Sequence, residues 1–481
     1  MLFRLLLLAL ATAALTQCGT FGKKTIRDVA AEIAAKEASS AGVEGSLRPT
    51  GSDSVFVIDL VTALRLAGAE NLDIRLREAE SAAASARASG AMLSILPELS
   101  AGGSYVRQRG VIQDVASAPL TINRVSQTVG FGTAASGAGT YAVPGASLNF
   151  HIGDAVFSML SAKQDRRAAS AAAAAERNRV LAQAAAAYYE LVRAKARVSI
   201  ASEIADAAAG LANATGAFAE SGQGLAADAA SAKATQLLRQ RETARAANAY
   251  RQSALKLVRL LHLPGDTQLV PASTSVRPLD LAPKGLSNGE LVAQALAHRP
   301  EMAQYQAEVE GAIARFRHAR SEAFLPTVGV GYSAGNFGAG FGGRPDRRDE
   351  RNEITALIYW KLDDLGFGNR AKKRAREAEL EQARVKEERL IDQITEEVLS
   401  ASSDITSLKQ EVSVSREAVG HAKQSYKLTT QRLNEAQGLP IEALQSISIL
   451  AETRQAEIDS IIDHNIAQHR LLSALGDLGG E

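Results

Sequence analysis

From Ile391 onward, apolar or small residues recur at alternating steps of three and four: Ile391, Ile394, Val398, Ala401, Ile405, Leu408, Val412, Ser415, Val419, Ala422, Tyr426, Thr429 and Leu433. Only Ser415 and Thr429 are polar, and both are small enough to sit in a helix contact. Six heptads without proline describe a narrow coiled-coil seam, not the wider stripe of an ordinary surface helix. A helix from Asn369 to Gln437 would be about 100 Å long at 1.5 Å per residue. That exceeds the width of a globular domain, so the chain must build something elongated around it.

The same register occurs 214 residues earlier. Arg177, Val180, Ala184, Ala187, Leu191, Ala194, Val198, Ala201, Ala205, Ala208, Ala212, Thr215 and Ala219 occupy the matching positions. Alanine lets helices approach closely, so this copy is expected to pack more tightly. Both runs end on the same words, Gln223-Gly224-Leu225 and Gln437-Gly438-Leu439, and a second helical run follows each, to about Leu261 and Leu475. The chain therefore contains two copies of a long helical hairpin, and a repeat on this scale governs the rest of the reading.

The 54 basic and 53 acidic residues nearly cancel, which offers no footing for nucleic acid. Alanine supplies much of the hydrophobic share and aromatic residues are few, as in packed long helices. At the N-terminus, Arg4 precedes an almost wholly apolar Leu5 to Leu15, the length of a signal-peptide core and too short to span a bilayer. The words Leu15-Thr16-Gln17-Cys18 resemble a bacterial lipobox, with Gln17 where Gly, Ala or Ser is usual. The alternatives are lipidation of Cys18 or an ordinary cleaved signal with an incidental cysteine. Either implies export. Cys18 is the only cysteine, so no disulfide is available within the chain.

The order along the chain is signal peptide (1–17), N-terminal tether (18–52), first repeat (53–265), linker or equatorial segment (266–285), second repeat (286–476) and tail (477–481). Each repeat reads helix, strand pair, long hairpin. In the first repeat a helical pattern over Val55 to Leu93 stops at Leu96-Pro97. The strand pair lies at about 97–152: Leu99 to Val106 alternates, a Gly- and Ser-rich stretch runs to Gly139, and Tyr141 to Ile152 reads as the second strand. Asp154 is a plausible N-cap for the long helix, whose tip falls near 220–228. In the second repeat, Leu291 to Phe324 is helical, with Arg299-Pro300 as a start or kink. Leu325-Pro326 breaks it, and the strand pair lies at about 326–363. Thr327 to Tyr332 alternates, a loop carries Gly340 to Gly343 and the charged run Arg344 to Arg351, and Ile354 to Trp360 forms the second strand. This tip falls near 434–442.

Two short strand pairs leave open edges, which proteins rarely tolerate. Strands of this length, small on one face and apolar on the other, fit a transmembrane β-barrel, where every backbone polar group must be paired within protein. Tyr105, Tyr141, Phe150, Tyr332, Tyr359 and Trp360 lie near strand ends, as interfacial aromatic girdles do. A soluble β-subdomain with core aromatics is the alternative. The duplication, the paired Leu-Pro strand entries, the heptad hairpins and the repeated tip words together resemble the outer-membrane factor family of TolC-like channels, in its lipoprotein branch. That resemblance covers nearly everything after Ser52. It implies a mostly α chain with β: a trimeric α-helical coiled-coil barrel continuing a shared twelve-stranded transmembrane β-barrel, four strands per chain. It further implies a lipid-anchored bacterial outer-membrane protein with its helical barrel in the periplasm.

No catalytic constellation, metal set or cofactor motif is expected. His151, His262, His298, His318, His421, His464 and His469 are scattered; Asp463, His464 and His469 are the nearest to a cluster, and these read as solvated or belt residues. Gly329-Val330-Gly331 and Gly338-Ala339-Gly340 lack the helix start and lysine of a phosphate loop. The resemblance directs attention to the tips, which in the family dock a periplasmic membrane-fusion adaptor and gate the channel. Here the docking words are Gly222, Gln223, Gly224, Leu225, Gln437, Gly438 and Leu439, with Ala436 where the second copy would carry the first glycine. Asp228 and Glu442 fall at the family's acidic position, with Gln445 where a second acid often occurs. These are the candidate periplasmic gate; a simple helix-capping role is the alternative. Arg344, Arg347 and Arg348 read as surface or lipopolysaccharide contacts of an outer loop. The expected function is a passive exit duct of a tripartite efflux pump for drugs or metal ions, working as a homotrimer with an adaptor, a proton-driven inner-membrane pump and outer-membrane lipid, without nucleic acid. A duct for type I polypeptide secretion, or a periplasmic coiled-coil scaffold, are the alternatives.

Overall fold

The structure is a computed structural model that describes residues 55–113, 116–133, 143–144, 146–222, 224–273, 276–342, 344–345, 347–435 and 437–476. The signal peptide, Cys18, the tether and the tail lie outside the described residues. The described chain divides into two units. The smaller contains a two-stranded sheet of β1 (Val55–Ile58) and β7 (Gln268–Pro271), so the linker contributes a strand.

The larger unit holds the helices and the main sheet. α1 (Leu60–Glu70) starts at Asp59, whose carboxylate accepts from Thr62 N at 2.8 Å. α2 (Leu72–Leu93) starts at Asn71, whose side-chain oxygen accepts from Asp73 N. One helical pattern is thus two capped helices. In the second repeat, α5 (Asn288–His298) begins with a Ser287–Glu290 capping box, and Pro300 opens α6 (Pro300–Ser321), where its missing N–H costs nothing.

The long helices are α3 (Ile152–Glu220) and α7 (Phe367–Asn434), which return as α4 (Ala226–Leu260) and α8 (Pro440–Leu475). The seam of α7 is buried or half-buried throughout, with Ile394 and Val398 fully enclosed. In α3 the seam is likewise covered except at Arg177, and a second stripe of Ala185, Tyr188, Val192, Ala196, Ile200 and Ile204 is buried beside it. The N-cap of α3 is His151, whose Nδ1 accepts from Asp154 N; Asp154 stands in the first turn instead of capping it. One apolar core joins the two hairpins, and another lies within the second repeat. Ile200, Ile204 and Leu211 of α3 meet Leu433 of α7 and Ala443, Ile447 and Leu450 of α8. Leu291 of α5 and Met302 of α6 meet Ile394, Val398 and Leu471.

The seven-stranded sheet consists of β2 (Glu98–Leu99), β3 (Gly102–Gln113), β4 (Pro119–Thr133), β5 (Val143–Pro144), β6 (Ala146–His151), β8 (Thr327–Phe341) and β9 (Arg347–Tyr359). Its registers resolve these into four antiparallel columns. β4 faces β8 down to Phe131↔Ala334, and β6 takes over at Ala146↔Tyr332. On the opposite flank β3 begins at Gly102↔Gly130, and β2 continues the line with Leu99↔Ala146. Both neighbours therefore place Ala146 where an unbroken strand would carry residue 133. The second column is one strand interrupted by an excursion, at whose mouth Gly132 and Thr133 pair with Pro144 and Val143. Residues 119–133, within the stretch read as irregular, are strand, and the second column is shared between β4 and β6. Gly130 faces Gly335 across the seam between repeats, and a Cβ on Gly130 would lie 2.5 Å from Gly335 Cα, so neither position tolerates a side chain. The outer edges of β3 and β9 carry no strand partner among the described residues.

β8 and β9 are longer than expected. The charged residues 347–351 extend β9 to pair with β8, so Arg347 and Arg348 stand in a strand and only Arg344 of the three lies in the connecting loop.

Candidate functional site

Each tip is a short turn whose glycines solve a local problem. α3 ends with Ser221 N and Gly222 N donating to Ala217 O and Ala219 O. Gly222 then takes φ +75°, the left-handed conformation that ends helices and suits a residue without Cβ. Gly224 has the other reason: a Cβ there would lie 3.1 Å from Phe218 Cβ and 3.2 Å from Ala219 N. Gly438 repeats that role, with a Cβ 3.0 Å from Leu433 N. The second turn otherwise differs. Gln437 N and Gly438 N both donate to Arg432 O at 2.9 and 3.0 Å, and Pro440 opens the returning helix. Gln223 and Ala436 lie outside the described residues.

The two tips meet. Thr215, Phe218, Gly222, Gly224, Leu225 and Asp228 of the first line a cavity of about 370 Å³ with Leu433, Gly438, Leu439 and Pro440 of the second. Leu225 and Leu439 are the N-caps of the returning helices and offer no side-chain cap; they are 69% and 61% exposed.

The candidate gate residues are not equivalent. Glu442, in the first turn of α8, stands 3.5 Å from Arg432 near the end of α7. Asp228, in the first turn of α4, has no ion-pair partner among the described residues. Gln445 is exposed on α8 and lies outside the cavity shared by the tips. Further from the tips, Arg193 pairs with Asp463 and Asp459, Arg197 with Asp459 at 2.5 Å, and Arg454 with Glu203. These links tie α3 to α8. The signal available for them was Arg193 and Arg197 one turn apart on α3, facing Asp459 and Asp463 one turn apart on α8.

His464 and His469 are buried, not solvated. His464 Nε2 lies 2.9 Å from Leu279 O of the segment before α5, whose Leu281 and Ala282 amides donate to Gln468. His469 packs on Tyr189, with ring centroids 5.6 Å apart. Burial holds its imidazole below the ordinary value and pushes the Tyr189 phenol up to about 12. His151 and His318, far apart in sequence, come together with Asp154 where β6 enters α3; all three offer ligand atoms within 4.8 Å of one another. The spacing of these three residues along the sequence gives no sign of that grouping.

At the same end of the sheet, Trp360 Nε1 donates to Phe324 O at 3.2 Å, and Phe324, Tyr359, Trp360, Leu362, Leu365 and Phe367 are all exposed. Tyr105 and Tyr332 stand within strands, the latter 6.5 Å from Phe131; Tyr141 lies outside the described residues. No described helix is long and apolar enough to cross a membrane.

Residues 291–477 match the family described as outer membrane efflux protein. No curated protein sequence matches the chain. The fold is that of solved outer-membrane channels. The outer-membrane channel OprN aligns over 87% of this chain and 90% of its own at 18% identity, with a TM-score of 0.73. A membrane protein from Pseudomonas aeruginosa aligns over 89% and 98% at 22% identity, TM-score 0.76. The CmeC outer membrane channel of Campylobacter jejuni aligns over 87% and 85% at 14% identity, TM-score 0.72.

Proposed function

We propose that the chain belongs to the outer membrane efflux protein family, whose model matches residues 291–477, and that it is the passive exit duct of a tripartite efflux pump for small molecules. The observation that carries this reading is a four-column sheet, whose outer edges carry no strand partner among the described residues, leading into helices of about 100 Å. In hydrocarbon an open edge cannot persist. Three chains joining β3 of one to β9 of the next would close twelve columns, and the exposed ring of Phe324, Trp360, Leu362 and Phe367 suits a membrane interface. The helices would then extend the duct through the periplasm.

The tips serve as gate and dock. Leu225 and Leu439, flanked by turns with little side chain, suit the end of an adaptor's helical hairpin. Threefold repetition of Asp228 and Glu442 would set carboxylates around the mouth and favour cations. Arg432 offsets part of this at Glu442, so Asp228 supplies most of the field. Energy would come from an inner-membrane pump, proton-driven in keeping with the lipobox-like Cys18, which would carry a lipid anchor. Palmitate labelling that survives Cys18→Ser would remove the anchor from this reading.

Detergent-extracted protein in planar bilayers tests the duct. Discrete conductance, with weaker cation preference in Asp228→Ala plus Glu442→Ala, is the expected result. Folded protein that stays soluble without detergent and conducts nothing would leave a periplasmic scaffold instead.

A further inference from the structure

We propose that His151, Asp154 and His318 form a binding site for a divalent transition ion of the zinc type, stitching the entry of the first long helix to α6 of the second repeat. Three observations converge. The first is the donor set. His318 Nε2 lies 2.8 Å from Asp154 Oδ1, and each of the three residues offers a ligand atom within 4.8 Å of the others. Two imidazoles and a carboxylate at this spread suit a borderline ion in tetrahedral coordination with water in the fourth place.

The second is the orientation of His151. Its Nε2 is 2.8 Å from Leu325 O and 3.2 Å from Glu322 O. Carbonyls only accept, so Nε2 carries the proton and Nδ1 presents a lone pair. That lone pair receives only a long contact, 3.4 Å, from Asp154 N. A histidine that donates one ring nitrogen to a backbone carbonyl and frees the other is the arrangement that metal-ligating histidines adopt. The third is Gly153. A Cβ there would lie 2.9 Å from His151 Cε1 and 3.1 Å from His318 Cδ2, so glycine is what lets both rings close over the helix start.

The electrostatics set the strength. The first-turn amides of α3 oppose a cation, and Asp154 in that turn offsets them. Glu322 is already engaged by Lys372 at 3.1 Å, which leaves Asp154 as the acid at the site. The ion would sit between His318 Nε2 and Asp154 Oδ1. Because the ligands come from α3 and its cap on one side and α6 on the other, binding would link the strand–helix junctions of the two repeats.

Equilibrium dialysis of tag-free, detergent-solubilised protein against Zn²⁺, with Mg²⁺ as the control, tests the site. One Zn²⁺ per chain is expected, with no Mg²⁺ uptake, and an apparent unfolding temperature that rises with Zn²⁺ and falls back with a chelator. His318→Ala should weaken Zn²⁺ binding by at least about tenfold and abolish the thermal shift, since ligand loss exceeds the 10–100-fold cost of losing a supporting partner. His151→Ala also removes the helix cap, so Asp154→Asn, at an exposed position, is the second variant and should weaken binding likewise. No Zn²⁺ uptake by the wild type, or uptake unchanged in both His318→Ala and Asp154→Asn, would overturn the proposal.

Discussion

The two repeats share a register and differ in how they spend it. In the first, α3 is built on alanine and buried along two stripes, touching α1, α2, α4, α6 and α8. In the second, α7 uses larger branched residues along one stripe and leaves much of its charged face exposed. The difference follows from neighbours: α3 sits among helices of both repeats, where only small side chains allow several close contacts, whereas α7 must make fewer contacts count. The sheet repeats the lesson with the roles reversed. The second column of the first repeat is interrupted between Phe131 and Ala146, while β9 runs unbroken over Arg347–Tyr359. A duplicated fold has kept its pairing and let each copy specialise at the positions its surroundings permit.

The place where the repeats meet is the most sensitive. Gly130→Val sets side-chain atoms against Gly335 Cα and Ala334 O, both within 2.6 Å of a Cβ, and neither is a side chain that can move aside. Loss of the assembled, detergent-stable protein is expected on gel filtration, because the clash lies in the ladder joining β4 to β8. A well-folded Gly130→Val would mean that the two columns are separable. A smaller effect compares the helices. Ile394 and Val180 occupy matching seam positions and both are fully buried. Ile394→Ala is expected to cost about 2–5 kcal/mol, and Val180→Ala about 2 kcal/mol from two methylenes and a small cavity. Denaturant unfolding of the two variants measures the order. A larger loss at Val180 would reverse the assignment of concentrated packing to α7.

Long-range order was legible where periodicity is strong. The heptads placed α3 and α7, Leu96-Pro97 and Leu325-Pro326 marked the entries to the sheet, and the glycines marked both tips. Strand β4 was not, because Thr121, Asn123, Arg124, Ser126, Gln127 and Thr128 supply too little apolar contrast for a clear period of two, as expected of strands that face polar surroundings. The charged run 347–351 resembles loop because charge is depleted in interior strands, yet β9 is an edge in one chain. At the tips the residue types were visible but the difference between them was not: Arg432 reaches Glu442 only because the second turn folds α7 back onto α8. The histidine site was hidden for the same reason. Its members are separated by more than a repeat's helices, and only the packing of α6 against α3 brings His318 to His151.

The smallest effect is expected where the repeats look most different. If the excursion in the second column is an insertion into an otherwise continuous strand, then deleting residues 133–145 should leave every flanking register unchanged. Gly132 would follow Phe131 opposite Ser333, and Ala146 would take the next place opposite Tyr332, where it already sits. The neighbour on the other side asks for the same geometry, since Leu99 already pairs with Ala146. No ladder between β6 and β8 or between β2 and β6 has to shift. The remaining cost or gain is that of closing a loop of this size, on the order of 1 kcal/mol, because such terms grow only with the logarithm of length. The shortened chain should therefore assemble and unfold close to wild type by thermal denaturation in detergent. If it does not assemble, the excursion is holding β4 and β6 in line instead of merely interrupting them, and the first repeat's sheet is a different construction from the second's.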